Sequence, residues 1–471
     1  MTIATDVLDR LRGIVGPAGY LDQPLDLEPY LVDHRGLYHG ATPLVLRPDT
    51  TLQVSSITRL CHETGTGVVP VGGNTSYCAG ATPDADGSQI VLSLARMRRI
   101  RAIDPSNYTV TAEAGCVLAE VQAAAAAVDR LFPLSLGSEG SCQLGGNLST
   151  NAGGTAVLRY GMMRDLVLGL EVVLPDGRVL DALKPLRKDN TGYDLRDLFI
   201  GAEGTLGVIT AATCKLYSRP AGMLTAFVAV RDPQAAVTLL SRLRSYTSDA
   251  ITTFELVPRI AIDLVLAHIE AAADPLDARH DWYVLLEIGM GRHEAAVRDA
   301  LESELADAMQ DGLIADAAIA ASEAQRESFW RLRETIPEAQ RREGASVKHD
   351  ISVTTSELPH FIAEAQGALA QLVPDGRIVA YGHLGDGNLH FNISRPAHAT
   401  DAEFLELAPR LQRLVHDLVA RYGGSFSAEH GIGRVKREEL LRYKSPVAIE
   451  LMRSIKQALD PKGIMNPGKL L

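Results

Sequence analysis

From Pro43 to about Tyr217, short runs of β-branched and aliphatic residues alternate with glycine-rich turns and helix-like stretches. Pro43–Arg47, Gly67–Val71, Gln89–Leu92, Thr109–Glu113, Leu168–Leu174 and Val208–Leu216 read as strands, and Thr51–Thr64 carries the apolar spacing of a helix. After the breaker-rich Ser218–Gly222 a new strand pattern opens at Leu224–Val230, followed by helical patterns over Pro233–Tyr246 and His293–Asp311. A domain boundary therefore falls there. Further on, Arg377–His383 and Leu389–Ile393 read as strands joined across Gly385, Asp386 and Gly387, which predicts a hairpin. From about Gly424 the chain reads as a loop, then a helix over Ser445–Leu459 stopped by Asp460, Pro461, Lys462 and Gly463. The alanine run Ala123–Ala127 belongs inside one helix on propensity alone. The pattern is α+β, with no internal repeat.

At 471 residues, and with roughly 100–200 residues per domain, the chain has room for two or three domains and a large cofactor. Forty-six basic against fifty-eight acidic residues leave a net charge of −12. No long-range basic field for nucleic acid is expected, so an anionic substrate must meet local cations. The five cysteines are odd in number, widely spaced and free of any C-x-x-C pair, which argues against a disulfide framework or a cysteine zinc site and for a reducing, cytoplasmic setting. The N-terminus lacks a basic leader, and no apolar run reaches the ~18 residues of a membrane span.

No G-x-G-x-x-G occurs, which argues against a Rossmann nicotinamide domain. The stretch from Gly463 to Lys469 has the outline of a P-loop, but Leu470 stands where a Ser or Thr would hold magnesium, and an NTPase is rejected. Two glycine-dense stretches, Val71–Ser76 and Gly137–Gly154, would let backbone N–H groups approach a phosphate-bearing cofactor closely.

Four blocks carry a resemblance that spans essentially the whole chain: Pro70–Ser76; Gly145–Gly154 with Arg159, Tyr160 and Gly161; Leu198–Thr210; and Asp460–Lys469. Together they resemble the vanillyl-alcohol-oxidase superfamily of flavoproteins. That resemblance implies a two-domain p-cresol-methylhydroxylase-type FAD-binding fold: an FAD domain over residues 1–218, an α/β cap (substrate) domain over 219–424, and a C-terminal segment over 425–471 that returns to the FAD. It also implies that Val71, Gly72, Gly73, Asn74, Thr75 and Ser76 wrap the pyrophosphate, that Gly137, Ser138, Gly146, Asn147 and Asn151 line the flavin side, and that Glu203, Gly207 and Asn466 complete the pocket. Neither glycine block holds a histidine that could tether the flavin, so non-covalent FAD is expected.

His383 and His390 flank the predicted hairpin turn, which would bring both imidazoles onto neighbouring strands with Asn392 on the same face as His390. In Ser427–Gly433, Glu429 stands beside His430, and two histidines with one carboxylate make a common catalytic zinc set. These motifs resemble the metal-dependent D-2-hydroxyacid dehydrogenases. By that resemblance His383, His390 and Glu429 hold a divalent metal, zinc being the first expectation, Asn392 contacts a carboxylate, and His430 is the base. Phe329–Pro337 and Val347–Val353 resemble the part of D-2-hydroxyglutarate dehydrogenases that holds the distal carboxylate, with Arg333 and Lys348 as the matching cations; Pro337 stands where some members carry a threonine.

The expected activity is thus FAD- and metal-dependent oxidation of D-2-hydroxyglutarate, a small anionic 2-hydroxy acid, with electrons passed to an acceptor such as an electron-transfer flavoprotein or a quinone. Two alternatives stay open: a D-lactate or glycolate dehydrogenase of the same branch, and a non-catalytic FAD-binding relay subunit. A homodimer also stays open.

Overall fold

The computed structural model describes residues 3–290 and 294–471. The His293 end of the expected helix lies outside them; the helix itself runs over Glu294–Gln310. Two compact units emerge: Met1–Gly154, Gly161–Arg219 and Glu429–Leu471 form the first, and Thr155–Tyr160 with Pro220–Ala428 the second.

The first unit contains a four-stranded sheet in the order Tyr20–Leu21, Val45–Leu46, Gln89–Ser93, Gly67–Val71, antiparallel at its first pair and parallel beyond. The strand expected over Pro43–Arg47 shrinks to Val45–Leu46; Pro43 has no N–H to give a ladder. Helix Thr51–Thr64 is capped by the Thr50 side chain, which accepts from the Gln53 amide, and buries Val54, Ile57, Leu60 and Cys61. That apolar stripe joins Leu11, Val68, Ile90 and Leu92 in one core. A second, antiparallel sheet orders Ile100–Asp104, Thr109–Glu113, Val208–Lys215, Val167–Val173 and Val179–Ala182. The C-terminal piece completes this unit. Helix Pro446–Leu459 leads to Met465, which bridges Val68, so that the Val68 amide donates to Ile464 (2.8 Å) and the Asn466 amide to Val68 (2.8 Å).

The second unit is built on an eight-stranded sheet running Ile314–Ile319, Gly222–Val230, Trp282–Met290, Ile251–Pro258, Arg377–His383, Asn388–Ser394, Ser346–Val347, with Asp350–Ser352 also paired to Asn388–Ser394. Its strand residues alternate between two cores. Ala380, Leu389, Phe391 and Ile393 point into one, with helix residues Leu239, Phe361 and Val415. Val257, Val379 and Tyr381 point into the other, with Phe329, Leu332 and Ile336. No helix among the described residues is long and apolar enough to cross a membrane.

Candidate active site

The expected hairpin forms, with Tyr381 opposite His390 and Val379 opposite Asn392. A single 3-10 turn over Leu384–Asp386 closes it, and Gly387 at φ +84° restarts the strand. A Cβ on Gly387 would lie 2.1 Å from the Val353 carbonyl oxygen, so the turn admits glycine alone. Asp386 serves this turn, accepting from the Asn388 amide at 3.1 Å. Because strand side chains alternate, Tyr381, His383, His390 and Asn392 share one face. The neighbouring strands add Glu255 opposite His383 and Asp350 opposite His390. The two imidazoles stand 5.7 Å apart between ring centroids.

Glu255 is the residue that sequence reasoning missed. It is fully buried, and both carboxylate oxygens are in use: Oε1 lies 2.5 Å from His383 Nδ1, and Oε2 accepts from Arg333 Nε at 2.6 Å. Burial alone would raise its pKa, but the charges of Arg333 and His383 and the hydrogen bonds they make hold it down to about 2. An ionised Glu255 only accepts, so Nδ1 of His383 carries a proton and the ring is held in place through it. A signal was available in the sequence. Glu255 is the one charged residue in Ile251–Pro258, and a carboxylate inside a fully buried strand must be paired.

Helix Glu323–Glu334 places Arg333, itself buried, with its guanidinium 4.7 Å from the centroid of the Tyr381 ring. Asn392 is buried, donating to Gln340 Oε1 (2.9 Å) and accepting from the His349 amide (3.2 Å). Lys348, the residue before His349, is exposed. Ala428, whose amide donates to the Asp350 carbonyl at 3.2 Å, immediately precedes Glu429 and His430. The His430 ring lies edge-on to Tyr77, 4.7 Å between centroids.

Within the first unit the glycine-bearing stretches of the four motif blocks meet, although the first and last lie nearly 400 residues apart in the chain. A Cβ on Gly73 would fall 2.3 Å from the Ser141 carbonyl oxygen, and one on Gly72 would lie 3.4 Å from Gly146 Cα, so the first block rests directly on the second. The amides of Gly201 and Glu203 donate to Leu148 (3.0 Å) and Ser149 (2.8 Å), tying the third block to the second. Asn466 of the fourth block donates through Nδ2 to the carbonyls of Gly80 (2.9 Å) and Glu203 (2.7 Å).

Asn74, Asn151, Glu203 and Asn466 all hold left-handed backbone at φ +52°, +49°, +52° and +43°. Strain of this kind persists where a site over-determines the chain. Asn466 Oδ1 is buried without a hydrogen-bond partner among the described residues, and Gly137 and Gly146 have nothing within 4 Å of an added Cβ. A cradle of open glycine backbone with an acceptor to spare fits a flavin nucleotide.

Other predicted residues face inward to the protein. The Glu203 carboxylate accepts from the amides of Ile432 (2.7 Å) and Gly433 (2.6 Å); burial raises its pKa although those two amides pull it down. It thereby pins the loop that follows His430. Gly207 packs on Val173, whose carbonyl oxygen would lie 2.9 Å from an added Cβ. Asn74 Nδ2 donates to the Val32 carbonyl at 2.9 Å, and Asn151 Oδ1 accepts from the Arg164 amide at 2.9 Å.

Residues 219–470 match the C-terminal domain of FAD linked oxidases, and residues 42–183 match an FAD binding domain. A mitochondrial D-2-hydroxyglutarate dehydrogenase of Arabidopsis thaliana is 38% identical over 98% of this chain and 80% of its own length. Its counterpart in Bos taurus is 39% identical over 100% and 84%. A D-2-hydroxyglutarate–pyruvate transhydrogenase of Saccharomyces cerevisiae is 36% identical over 95% and 90%. Among solved structures, p-cresol methylhydroxylase with substrate bound superposes with a TM-score of 0.78 at 18% identity, covering 99% of this chain and 97% of that one. The fold is therefore of the p-cresol-methylhydroxylase type. The mitochondrial relatives overturn the expectation of a cytoplasmic protein. Five free, buried cysteines report the absence of disulfides and cannot tell one reducing compartment from another.

Proposed function

The chain belongs to the FAD-linked oxidases, and from that premise we propose that it oxidises D-2-hydroxyglutarate to 2-oxoglutarate with a divalent metal and a non-covalently held FAD. The observation that carries the reading is the hairpin face: two imidazoles on paired strands, one of them held through Nδ1 by a buried carboxylate. Near-full-length likeness to proteins named for D-2-hydroxyglutarate supports the choice of substrate.

In this reading His383, His390 and Glu429 would hold the ion, two imidazoles and a carboxylate being a donor set that suits zinc. When bound, FAD supplies the hydride acceptor and the ion supplies the Lewis acid that makes the C2 hydroxyl proton easier to remove. His430 accepts that proton, a role suited to an imidazole near neutrality. Asn392, held by Gln340 and His349, orients the C1 carboxylate. Arg333 and Lys348 answer the distal carboxylate, which D-lactate lacks. The electrons leave to a separate acceptor such as an electron-transfer flavoprotein or a quinone.

A panel of D- and L-2-hydroxy acids with an artificial electron acceptor tests this. D-2-hydroxyglutarate should give the highest kcat/KM; a preference for D-lactate or glycolate would replace the substrate assignment.

A further inference from the structure

The buried carboxylate at the centre of the second unit has no part in the scheme above, yet it touches two of its members. Glu255 reaches His383 through one oxygen and Arg333 through the other, and its side chain has no exposure to solvent. Burying a charge this deeply is costly unless it is paired, and a pair of well-packed apolar residues would serve stability at least as well. What an apolar pair could not do is fix the tautomer and ring orientation of His383 while anchoring the Arg333 guanidinium over Tyr381. The Tyr381 ring in turn lies 5.1 Å from that of His390, so the contacts running out from Glu255 reach both imidazoles of the hairpin.

We propose that Glu255 is a positioning residue that sets divalent-metal affinity by orienting His383 and, through its second oxygen, ties that ligand to the cation meant for the substrate's distal carboxylate. This rests on the metal reading given above. In Glu255→Gln only one side-chain oxygen remains to accept, so His383 Nδ1 and Arg333 Nε can no longer both be satisfied. A lost partner of this kind weakens metal binding about 10–100-fold.

The test is Zn2+ affinity, measured by competition with a chromogenic chelator on the full-length, FAD-loaded protein, together with the visible spectrum after loading with Co2+. Glu255→Gln should raise the Zn2+ dissociation constant about 10–100-fold and shift the Co2+ bands, and Glu255→Asp should fall between it and the unaltered protein. Should Glu255→Gln fail to fold, the double change Glu255→Gln with Arg333→Met removes the buried guanidinium left without its acceptor. The double variant should still bind Zn2+ weakly, whereas Arg333→Met alone, which keeps the Glu255–His383 contact, should stay within a few-fold of the unaltered protein. A merely structural Glu255 would lower the melting temperature and leave the Zn2+ constant and Co2+ spectrum unchanged, which overturns the proposal. If the unaltered protein binds neither ion, the metal reading itself is overturned and this one with it; if it binds and Glu255→Gln binds equally, only the role of Glu255 falls.

Discussion

Replacing Arg333 with methionine separates its structural duty from its proposed contact with substrate. Methionine follows the arginine stem closely, so the packing of Phe329 and Leu332, on the same helix Glu323–Glu334, into the core with Val257 and Val379 should survive. What disappears is one of the two partners of a carboxylate with no exposure to solvent. Breaking a buried ion pair from one side costs about 3–5 kcal/mol, and the surviving contact with His383 holds the loss toward the lower end. For a unit of this size, at roughly 2–4 °C per kcal/mol, the melting temperature should fall by about 6–20 °C. Adding Glu255→Gln to Arg333→Met should recover much of that loss, since removing both members of a buried pair leaves no uncompensated charge. Differential scanning calorimetry at neutral pH reads both effects. Arg333→Met alone, assayed with D-2-hydroxyglutarate and D-lactate, should lose kcat/KM chiefly for the dicarboxylate. A melting temperature for Arg333→Met within a degree or two of the unaltered protein, or a double variant no more stable than the single one, would refute the reasoning.

His430→Ala should lower kcat by about 10²–10⁴ while KM moves little, because proton removal matters in the transition state; steady-state kinetics decide this, and a retained kcat moves the base elsewhere. Gly73→Ala should purify with most of its flavin missing, since the new Cβ would meet the Ser141 carbonyl oxygen at 2.3 Å; the ratio of absorbance at 450 and 280 nm measures the loss, and an unchanged ratio counts against the cradle. The carboxyls of Glu113 and Glu171 lie below their usual pKa: burial pushes both up, but Arg99 and Arg101 at Glu113, and Arg101, Thr51 and Thr210 at Glu171, more than offset it. A folded-state pKa below the unfolded one gives stability that is present above the ordinary carboxylate pKa and lost as pH falls through the lowered values. Thermal melts should therefore drop steeply under acid and less steeply in Arg101→Gln; parallel curves would contradict the network.

Much of this arrangement was legible because its signals are local. The Gly385–Gly387 turn lies between strand patterns only a few residues away, and the register it sets puts His383, His390 and Asn392 on one face without any long-range information. The glycine blocks were legible as chemistry, since clustered residues without Cβ atoms leave backbone open to a ligand. Glu255 was not. Its partners lie 128 and 78 residues further along the chain, and nothing in the Ile251–Pro258 run says which strand or helix will answer its charge. Glu287 is a second case, a lone acid in the Trp282–Met290 strand that accepts from Thr225, Arg326 and Trp330. A reading that treats every carboxylate inside an apolar strand as one end of an unseen pair would have flagged both. Compartment was not legible, because neither charge nor free thiols encode it.

The central claim is that this chain takes a hydride from D-2-hydroxyglutarate with the help of a bound ion, and flavin reduction without any added acceptor tests it most directly. FAD-loaded, Zn2+-loaded protein should be mixed anaerobically with D-2-hydroxyglutarate in a stopped-flow instrument and followed near 450 nm. The flavin should bleach within a single turnover, the L-enantiomer should leave it coloured, and chelation should abolish bleaching until Zn2+ is restored. A flavin that stays oxidised with D-2-hydroxyglutarate, or that bleaches equally well after the ion is removed, would contradict the account.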